Sequence, residues 1–455
     1  MRRLASIVVL LAITGVAVRA HAVPAFARKY KTSCVTCHTI FPKLTPFGEQ
    51  FRRNGYRFPG VDSDSVKAEP IELGTDEQKK QFSDAVWPGT LSPFPAFAWG
   101  FNGQAVFHPD KHSGGGAADN GAVANFDTLI EEGHLWAAGS FDDSITYYSE
   151  LTASRTGGVD FETAAVFFND LAGPAHAVNL WVGRRVGTFT SFQNHGSYFA
   201  DAMLTQVPVT GLYGATSDPF LFNDNHNGLE VNGIVASFFN YSVGVAAGTN
   251  LDTRNSANVY AHAGYKIGGA TLDGEETGGV PQDLEHEQSI TLDAFAYRSI
   301  SRFNDSSMTP VLTKNTSLTL GGAIRAQHAE LELDVGAFYQ TDDHVTSTAP
   351  STTTLSQWNE LSYLVYPWLA VGGRVEYLRV ARDGGTVVSD LRIVPGAAAL
   401  IRPNLKLVLT GTLEQASGMP DAGWAAAGLA AAPADAASKV GIEIEQVQVL
   451  MWTAF

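Results

Sequence analysis

Both cysteines of this 455-residue chain fall inside one pentapeptide, Cys34-Val35-Thr36-Cys37-His38. Two thiols at this spacing, with an imidazole beside them, can serve a disulfide framework, a zinc site, a redox dithiol or a haem. A chain braced by disulfides carries several pairs, and here there is one. Structural zinc takes four ligands, normally from a second Cys or His pair at matching spacing, which the sequence lacks. A thioredoxin-like dithiol sits at the strand-to-helix junction of a βαβ unit, and no such pattern follows. C-x-x-C-H is also the attachment sequence for c-type haem, in which the thiols become thioethers and the histidine becomes the proximal iron ligand. Cys34, Cys37 and His38 are therefore the expected holders of one covalent haem c.

The surrounding sequence must deliver and seat such a group. Arg2 and Arg3 precede the apolar run "LASIVVLLAITGVAV", and "AHA" ends at Ala22. This three-part pattern reads as an export signal over residues 1–22, with the mature chain starting near Val23. Its apolar run is shorter than the roughly 18 to 20 residues of a spanning helix. The formal charge is −16; without Arg2, Arg3 and Arg19 it is −19, from 27 basic and 46 acidic residues. Nucleic acid is thereby an unsuitable partner. Residues 23–60 hold seven basic residues against the single acid Glu49, a balance of +6, and residues 61–455 carry −25. Opposite charge in two parts of one chain predicts that the first docks on or inside the second.

Within the short part, Phe26 and Tyr30 stand four apart, as on one face of a short helix before Cys34. A second helix is predicted from Thr45 as N-cap and Pro46 as first helical residue. Phe47 and Phe51 share one of its faces, and Asn54-Gly55 is its stop. These rings can wall a porphyrin or simply form a small core. Likewise, the basic residues can face haem propionates or merely solvate the surface. His38 fills one axial position, and residues 23–60 contain no other His or Met. His195 and Met203, in a later loop, are the candidates for a distal ligand reaching in from outside, although a turn histidine and a packed methionine are the plainer readings.

Beyond about residue 90, segments of alternating character recur between Gly-rich and polar clusters, about sixteen of them from residue 93 onward. Leu331, Leu333, Val335, Ala337 and Tyr339 face one way while Glu330, Glu332 and Asp334 face the other. Leu369, Val371, Val375 and Tyr377 oppose Arg374 and Glu376. Sandwiches and membrane barrels both alternate, but long segments, aromatics near their ends and one charged face favour a barrel with lipid on its apolar side. In "KVGIEIEQVQVLMWTAF", Val447, Val449, Met451, Thr453 and Phe455 alternate in the manner of a C-terminal outer-membrane barrel signal. A phase slip between Glu445 and Gln446 predicts a bulge. Residues 188–225 do not alternate, are too long for an idle connection and are rich in aromatics, so this loop is expected to fold into the lumen. Glu330, Glu332 and Asp334, with Glu443 and Glu445, form a candidate row for drawing metal cations inward. Ordinary lumen lining, or ion pairing with the basic segment, is the alternative.

The stretch "FARKYKTSCVTCHTIFPKLTPFGEQFRRNGYRFP" resembles the N-terminal cytochrome segment of the fused outer-membrane cytochrome–porin family. The close likeness covers residues 24–59, and the remainder resembles the family in length, alternation and terminal Phe455. The resemblance implies a mainly β fold, a transmembrane antiparallel barrel of about sixteen strands with a small helical haem module plugging it. The corresponding division is signal peptide 1–22, monohaem cytochrome module 23–60, linker 61–90 and outer-membrane barrel 91–455. The best-known members oxidise extracellular Fe(II), which makes an Fe(II) oxidase activity one expectation, although the segment also recurs in relatives with other donors. Electrons would pass from an extracellular reductant such as Fe(II), through the haem, to a periplasmic cytochrome or other soluble acceptor. The alternative is a transport porin in which the haem module gates, senses redox state or stabilises the fold. A haem enzyme with an open distal site is a third.

Overall fold

The computed structural model describes residues 25–40, 42–58, 75–81, 83, 96–108, 123–125, 130–141, 144–155, 157–191, 196–199, 225–247, 257–274, 287–304, 312–343, 351–382, 387–402, 405–417 and 443–454. The signal segment 1–22, His195, Met203 and Phe455 lie outside these residues.

Period-2 alternation builds strands, and seventeen are described. The first are β1 (Ala96–His108), β2 (Val123–Asn125), β3 (Glu132–Ser140), β4 (Ile145–Ser154), β5 (Val159–Phe168) and β6 (Asn179–Val186). Next come β7 (Asn225–Val235), β8 (Phe239–Ala246), β9 (Ala257–Ile267), β10 (Gln288–Asn304), β11 (Leu312–His328) and β12 (Leu331–Asp342). Last are β13 (Thr352–Tyr366), β14 (Leu369–Arg382), β15 (Val387–Arg402), β16 (Leu405–Ser417) and β17 (Glu443–Ala454). From β3 to β17 each strand pairs antiparallel with the next, and β1 pairs with β3 on one side and β17 on the other. The three-residue β2 adds to the end of β1. The ladder thus returns to its start, which removes the unpaired strand edges that would otherwise recruit other chains.

The sheet is apolar on the outside. Trp99, Leu135, Leu229, Val243, Leu320, Leu333, Leu361 and Leu409 are all more than 40 % exposed. Their inward-pointing neighbours Glu230, Ser242, Thr319, Asp334, Glu360 and Thr410 are buried. A water-soluble sandwich would reverse this arrangement; a barrel solvated by lipid requires it. One end carries the shortest connections (residues 236–238, 329–330, 367–368 and 403–404) together with 169–178 and 268–287, and the other carries the longest (109–122, 187–224 and 418–442). In outer-membrane barrels the short-turn end faces the periplasm. The expected bulge near Glu445 is present: Gln446 pairs with Thr412 and Ile444 with Leu413, leaving Glu445 out of the ladder.

Large rings fill the interior. Trp358 is fully buried and lies over Gly336, where an added Cβ would sit 2.0 Å from the indole. Phe189, Tyr260, Phe295, Tyr297 and Phe338 pack into the same cluster, so the start of the long loop after β6 does turn inward. Tyr198 and Phe199 from that loop join Ile40, Leu364, Ala370, Ala398 and Val408 in a second cluster.

The N-terminal segment is helical: α1 (Ala25–Tyr30), a 3-10 turn at Cys34–Thr36, α2 (Pro46–Arg53) and, further on, α3 (Asp76–Gln81). Thr45 caps α2 by accepting from Gly48 N at 3.1 Å, and Pro46 opens it. Asn54 ends it, followed by Gly55 at φ +69°. Those are the boundaries that the capping residues predict.

Candidate functional site

The Cys34–Thr36 turn sets both thiols on one short backbone loop, closed by His38 N donating to Cys34 O at 2.9 Å. Helix α2 is pinned to it from the other side. Thr45 N donates to Cys37 O at 2.9 Å, and Thr45 Oγ1 donates to Thr36 O at 3.0 Å. Gly48 lies directly over Cys37: a Cβ there would come within 2.1 Å of the Cys37 carbonyl oxygen, which only glycine avoids.

His38 Nδ1 is 3.2 Å from the Pro42 carbonyl, which can only accept, so the ring must donate from Nδ1. Donation from Nδ1 to a backbone carbonyl is the arrangement used by histidines that bind a metal through Nε2. Part of the residue remains accessible, yet enclosure of the ring pushes its pKa down to about 4 and keeps the imidazole neutral at ordinary pH. Burial pushes the Cys37 thiol up to about 12, aided by its neighbour Cys34, which is itself raised by burial. A redox dithiol needs a lowered thiol pKa, so these two cysteines are poorly set for thiolate exchange. The spacing, the hydrogen bond at His38 Nδ1 and the tight Gly48 approach all fit a c-type haem held by Cys34, Cys37 and His38.

The aromatic residues read from the sequence pack chiefly on one another. Phe26 meets Phe51 edge-on at 4.8 Å, Tyr30 stacks on Phe58 at 3.9 Å, and Phe47 meets Phe58 at 5.1 Å. They form the core of the segment, which is compatible with either reading, since a haem pocket would also be built from them.

Residues 25–58 bear on inward-facing barrel groups. Lys43 forms an ion pair with Glu332 of β12 and donates to Gly196 O of the long loop at 2.6 Å. Arg57 pairs with Asp170 at 2.8 Å, and Gln50 and Asn54 donate to Thr271 O and Asp273 O at 2.7 and 3.0 Å. Thr146 of β4 donates to Gly55 O, while Tyr56 stacks on Tyr148 at 5.0 Å and packs on Phe167. Glu332, Thr146, Asp170, Thr271 and Asp273 all lie at the end of the barrel that carries the 329–330 turn, which places the contacts toward that end. Glu49 is held by Arg52 at 2.9 Å, with Arg53 and Arg325 close by. Burial opposes its charge, but these guanidinium groups prevail and hold its carboxyl at about 2.

The carboxylate row expected on β12 is divided by the fold. Glu330 belongs to the β11–β12 turn, and only Glu332 and Asp334 point inward. Glu332 is shared between Lys43 and Arg325, the latter at 2.8 Å, so it serves ion pairing with the basic segment. The side chains of Glu443 and Glu445, and the whole of His195 and Met203, lie outside what is described.

A second cluster was missed by sequence reading. On β3, β4 and β5, His134, Glu150 and Glu162 bring ligand atoms within 4.8 Å of one another. Inward alternation could have flagged His134 and Glu150, but uniting them needed strand register.

No protein-family model matches the chain, and no curated protein matches it. Solved structures similar to it include OmpT of Vibrio cholerae, with 10 % identity and TM-score 0.48 over 79 % of this chain and 97 % of that one. An anion-selective porin from Comamonas acidovorans gives 12 %, 0.47, 79 % and 98 %. OprB of Pseudomonas putida gives 10 %, 0.47, 79 % and 94 %. The barrel's character follows from its own pairing and burial: an antiparallel sheet, apolar outside and polar within, is a porin-like barrel of the bacterial outer membrane.

Proposed function

We propose that this porin-like barrel carries one covalent haem c on Cys34, Cys37 and His38, and that it passes electrons from a reductant outside the cell to a soluble periplasmic acceptor such as a cytochrome. In this reading residues 23–60 are the haem module and plug the barrel, residues 61–90 are the linker, and Fe(II) is one possible donor. The observation that carries it is the seating of the C-x-x-C-H segment on lumen groups, with Lys43 on Glu332 and Arg57 on Asp170. A lone redox centre can serve both faces of an apolar band roughly 25 Å tall only from within the barrel.

When bound, the haem supplies a one-electron iron couple. The chain's own residues do the rest. His38 offers a neutral imidazole oriented by Pro42 O. Gly48 and Thr45 hold the Cys37 carbonyl, and with it the thioether turn, against α2. His195 and Met203 are the proposed distal candidates. An outer-membrane site keeps poorly soluble Fe(III) outside the cell if Fe(II) is the donor.

The barrel fold alone speaks more directly for a second reading, a transport channel in which the segment gates, senses or stabilises. Anaerobic mixing of the haem-loaded protein with Fe(II), followed by haem absorption and by conductance in planar bilayers, separates the two. Rapid reduction with little conductance supports electron transfer. Steady conductance with an unchanged haem spectrum supports the channel. A denaturing gel on which the pigment leaves the chain overturns covalent attachment.

A further inference from the structure

The buried lumen glutamates on the other strands are matched by fixed cations, whereas Asp293 faces His262 at 2.8 Å and Asp334 has no lysine or arginine pair among the described residues. Glu230 pairs with Arg185 at 2.7 Å, Glu287 with Lys266 at 2.8 Å, and Glu414 with Arg392 at 3.0 Å. Arg374 lies between Glu360 and Glu376, and Glu332 has both Arg325 and Lys43. The wall formed by β3, β4 and β5 departs from this rule. Glu132, Glu150 and Glu162 gather about His134, and among the described residues no lysine or arginine pairs with any of the three.

The histidine is almost fully buried, and its two ring nitrogens face different carboxylates. Nδ1 is 3.0 Å from Glu150 Oε1, and Nε2 is 3.6 Å from Glu132 Oε2. One ring nitrogen can therefore ligate while the other keeps a carboxylate partner, the outer-sphere arrangement typical of metal-binding histidines. Thr152 Oγ1 donates to Glu162 Oε2 at 2.8 Å and lies 3.2 Å from His134 Nδ1, tying the third carboxylate to the ring. Glu162 reaches this side because the β4–β5 register shifts between Glu150 and Leu151. A bulge of this kind turns an extra side chain toward a site.

A further observation points to a missing cation. Asn102, 9 % exposed, donates from Nδ2 to Glu132 Oε2 at 3.1 Å, while its Oδ1 has no hydrogen-bond partner among the described residues. An amide oxygen left this way on a side chain bound to Glu132 lacks an electropositive neighbour, and a buried polar atom without one is costly.

We propose that His134, Glu150 and Glu162, with Glu132 as the outer partner, bind one divalent first-row transition-metal cation on the lumen wall. One nitrogen and carboxylate oxygens suit Mn(II), Fe(II), Co(II) or Zn(II), whereas Mg(II) and Ca(II) are bound by oxygen alone. The site lies one step from the N-terminal segment: the Tyr148 hydroxyl donates to Glu150, and the Tyr148 ring stacks on Tyr56. The site stands whether or not the segment carries haem.

The test is calorimetric and visible titration of the detergent-solubilised full chain with Co(II) in a large excess of Mg(II). One equivalent is expected to bind saturably, with ligand-field absorption. H134Q should remove that absorption and weaken binding at least tenfold, and E150Q and E162Q should each weaken it by a similar factor. D160N, on the same strand but 82 % exposed at its side chain, should bind as the wild type does. Heat-modifiable gel migration reports that each variant is folded, and E162Q keeps the question answerable if H134Q is not. The proposal is overturned if Co(II) binding does not saturate in Mg(II), if H134Q and E150Q bind unchanged, or if D160N weakens binding as much as they do.

Discussion

The two sides of the lumen handle negative charge differently. Along β11 and β12, Glu332 is neutralised by Arg325 and by Lys43 from the N-terminal segment, and Arg325 also approaches Glu49 at 4.0 Å. Along β3 to β5, Glu132, Glu150 and Glu162 surround a histidine and have no such partner among the described residues. A buried ion pair adds little net stability over an apolar pair, but it makes loss of one member expensive. The first side therefore fixes the position of a docked segment. The second leaves charge for something that comes and goes.

Breaking the matched side should have the largest effect. Lys43→Met leaves Glu332 with Arg325 alone, so a loss of about 3 kcal/mol is expected, the low end for a broken buried pair. Amide exchange over residues 25–58 should then run roughly a hundredfold faster, by the relation of 1.36 kcal/mol per tenfold. Unchanged exchange there would show that the pair does not anchor the segment.

Acid should loosen the same side. The carboxyl of Glu49 is held at about 2, below the ordinary value of 4.5. A depressed carboxyl contributes stability that is present above its unfolded pKa and disappears as pH falls through the folded one. Exchange over residues 46–53 should therefore be slow at neutral pH and accelerate between about pH 4.5 and 2. Glu49→Gln should flatten that profile. A smaller loss, about 1 kcal/mol, is expected for Thr45→Ala, which removes the acceptor for Gly48 N and the donor to Thr36 O. Thermal melting in detergent reads it, and Thr45→Ser should restore most of the loss.

The contrast also separates what the sequence reveals from what it hides. Strand alternation and the limits of α2 are written in neighbouring residues, because pleat and capping are local: Thr45, Pro46 and Asn54 fall where those rules place them. The bulge at Glu445 is local as well, a slip of phase within one strand. Lys43 and Glu332, however, are 289 positions apart. Opposite charge in the two parts of the chain predicted that they would meet, but not which residues would do so. Two positions separate Glu330, which the turn claims, from Glu332, which the lumen claims, because β12 begins at Leu331 between them. The cluster on β3 to β5 needs three registers and a bulge to assemble, and no single stretch of sequence carries that information.

The unmatched side yields the smallest effect on stability, and for that reason the sharpest test of the contrast. Glu162→Gln keeps the size of the side chain and its link to Thr152 Oγ1, and it removes one of three carboxylates that have no fixed cation to lose. Without metal, like-charge crowding falls and no pair is broken, so stability should change little and, if it changes, rise, by about 0.5 kcal/mol or less, read as a slightly higher melting temperature. With Co(II) present the order should reverse, because the wild type gains mass-action stabilisation that the variant largely forgoes. A variant destabilised without metal as strongly as Lys43→Met would mean that Glu162 is a structural partner after all, and that the two walls of the lumen are built alike.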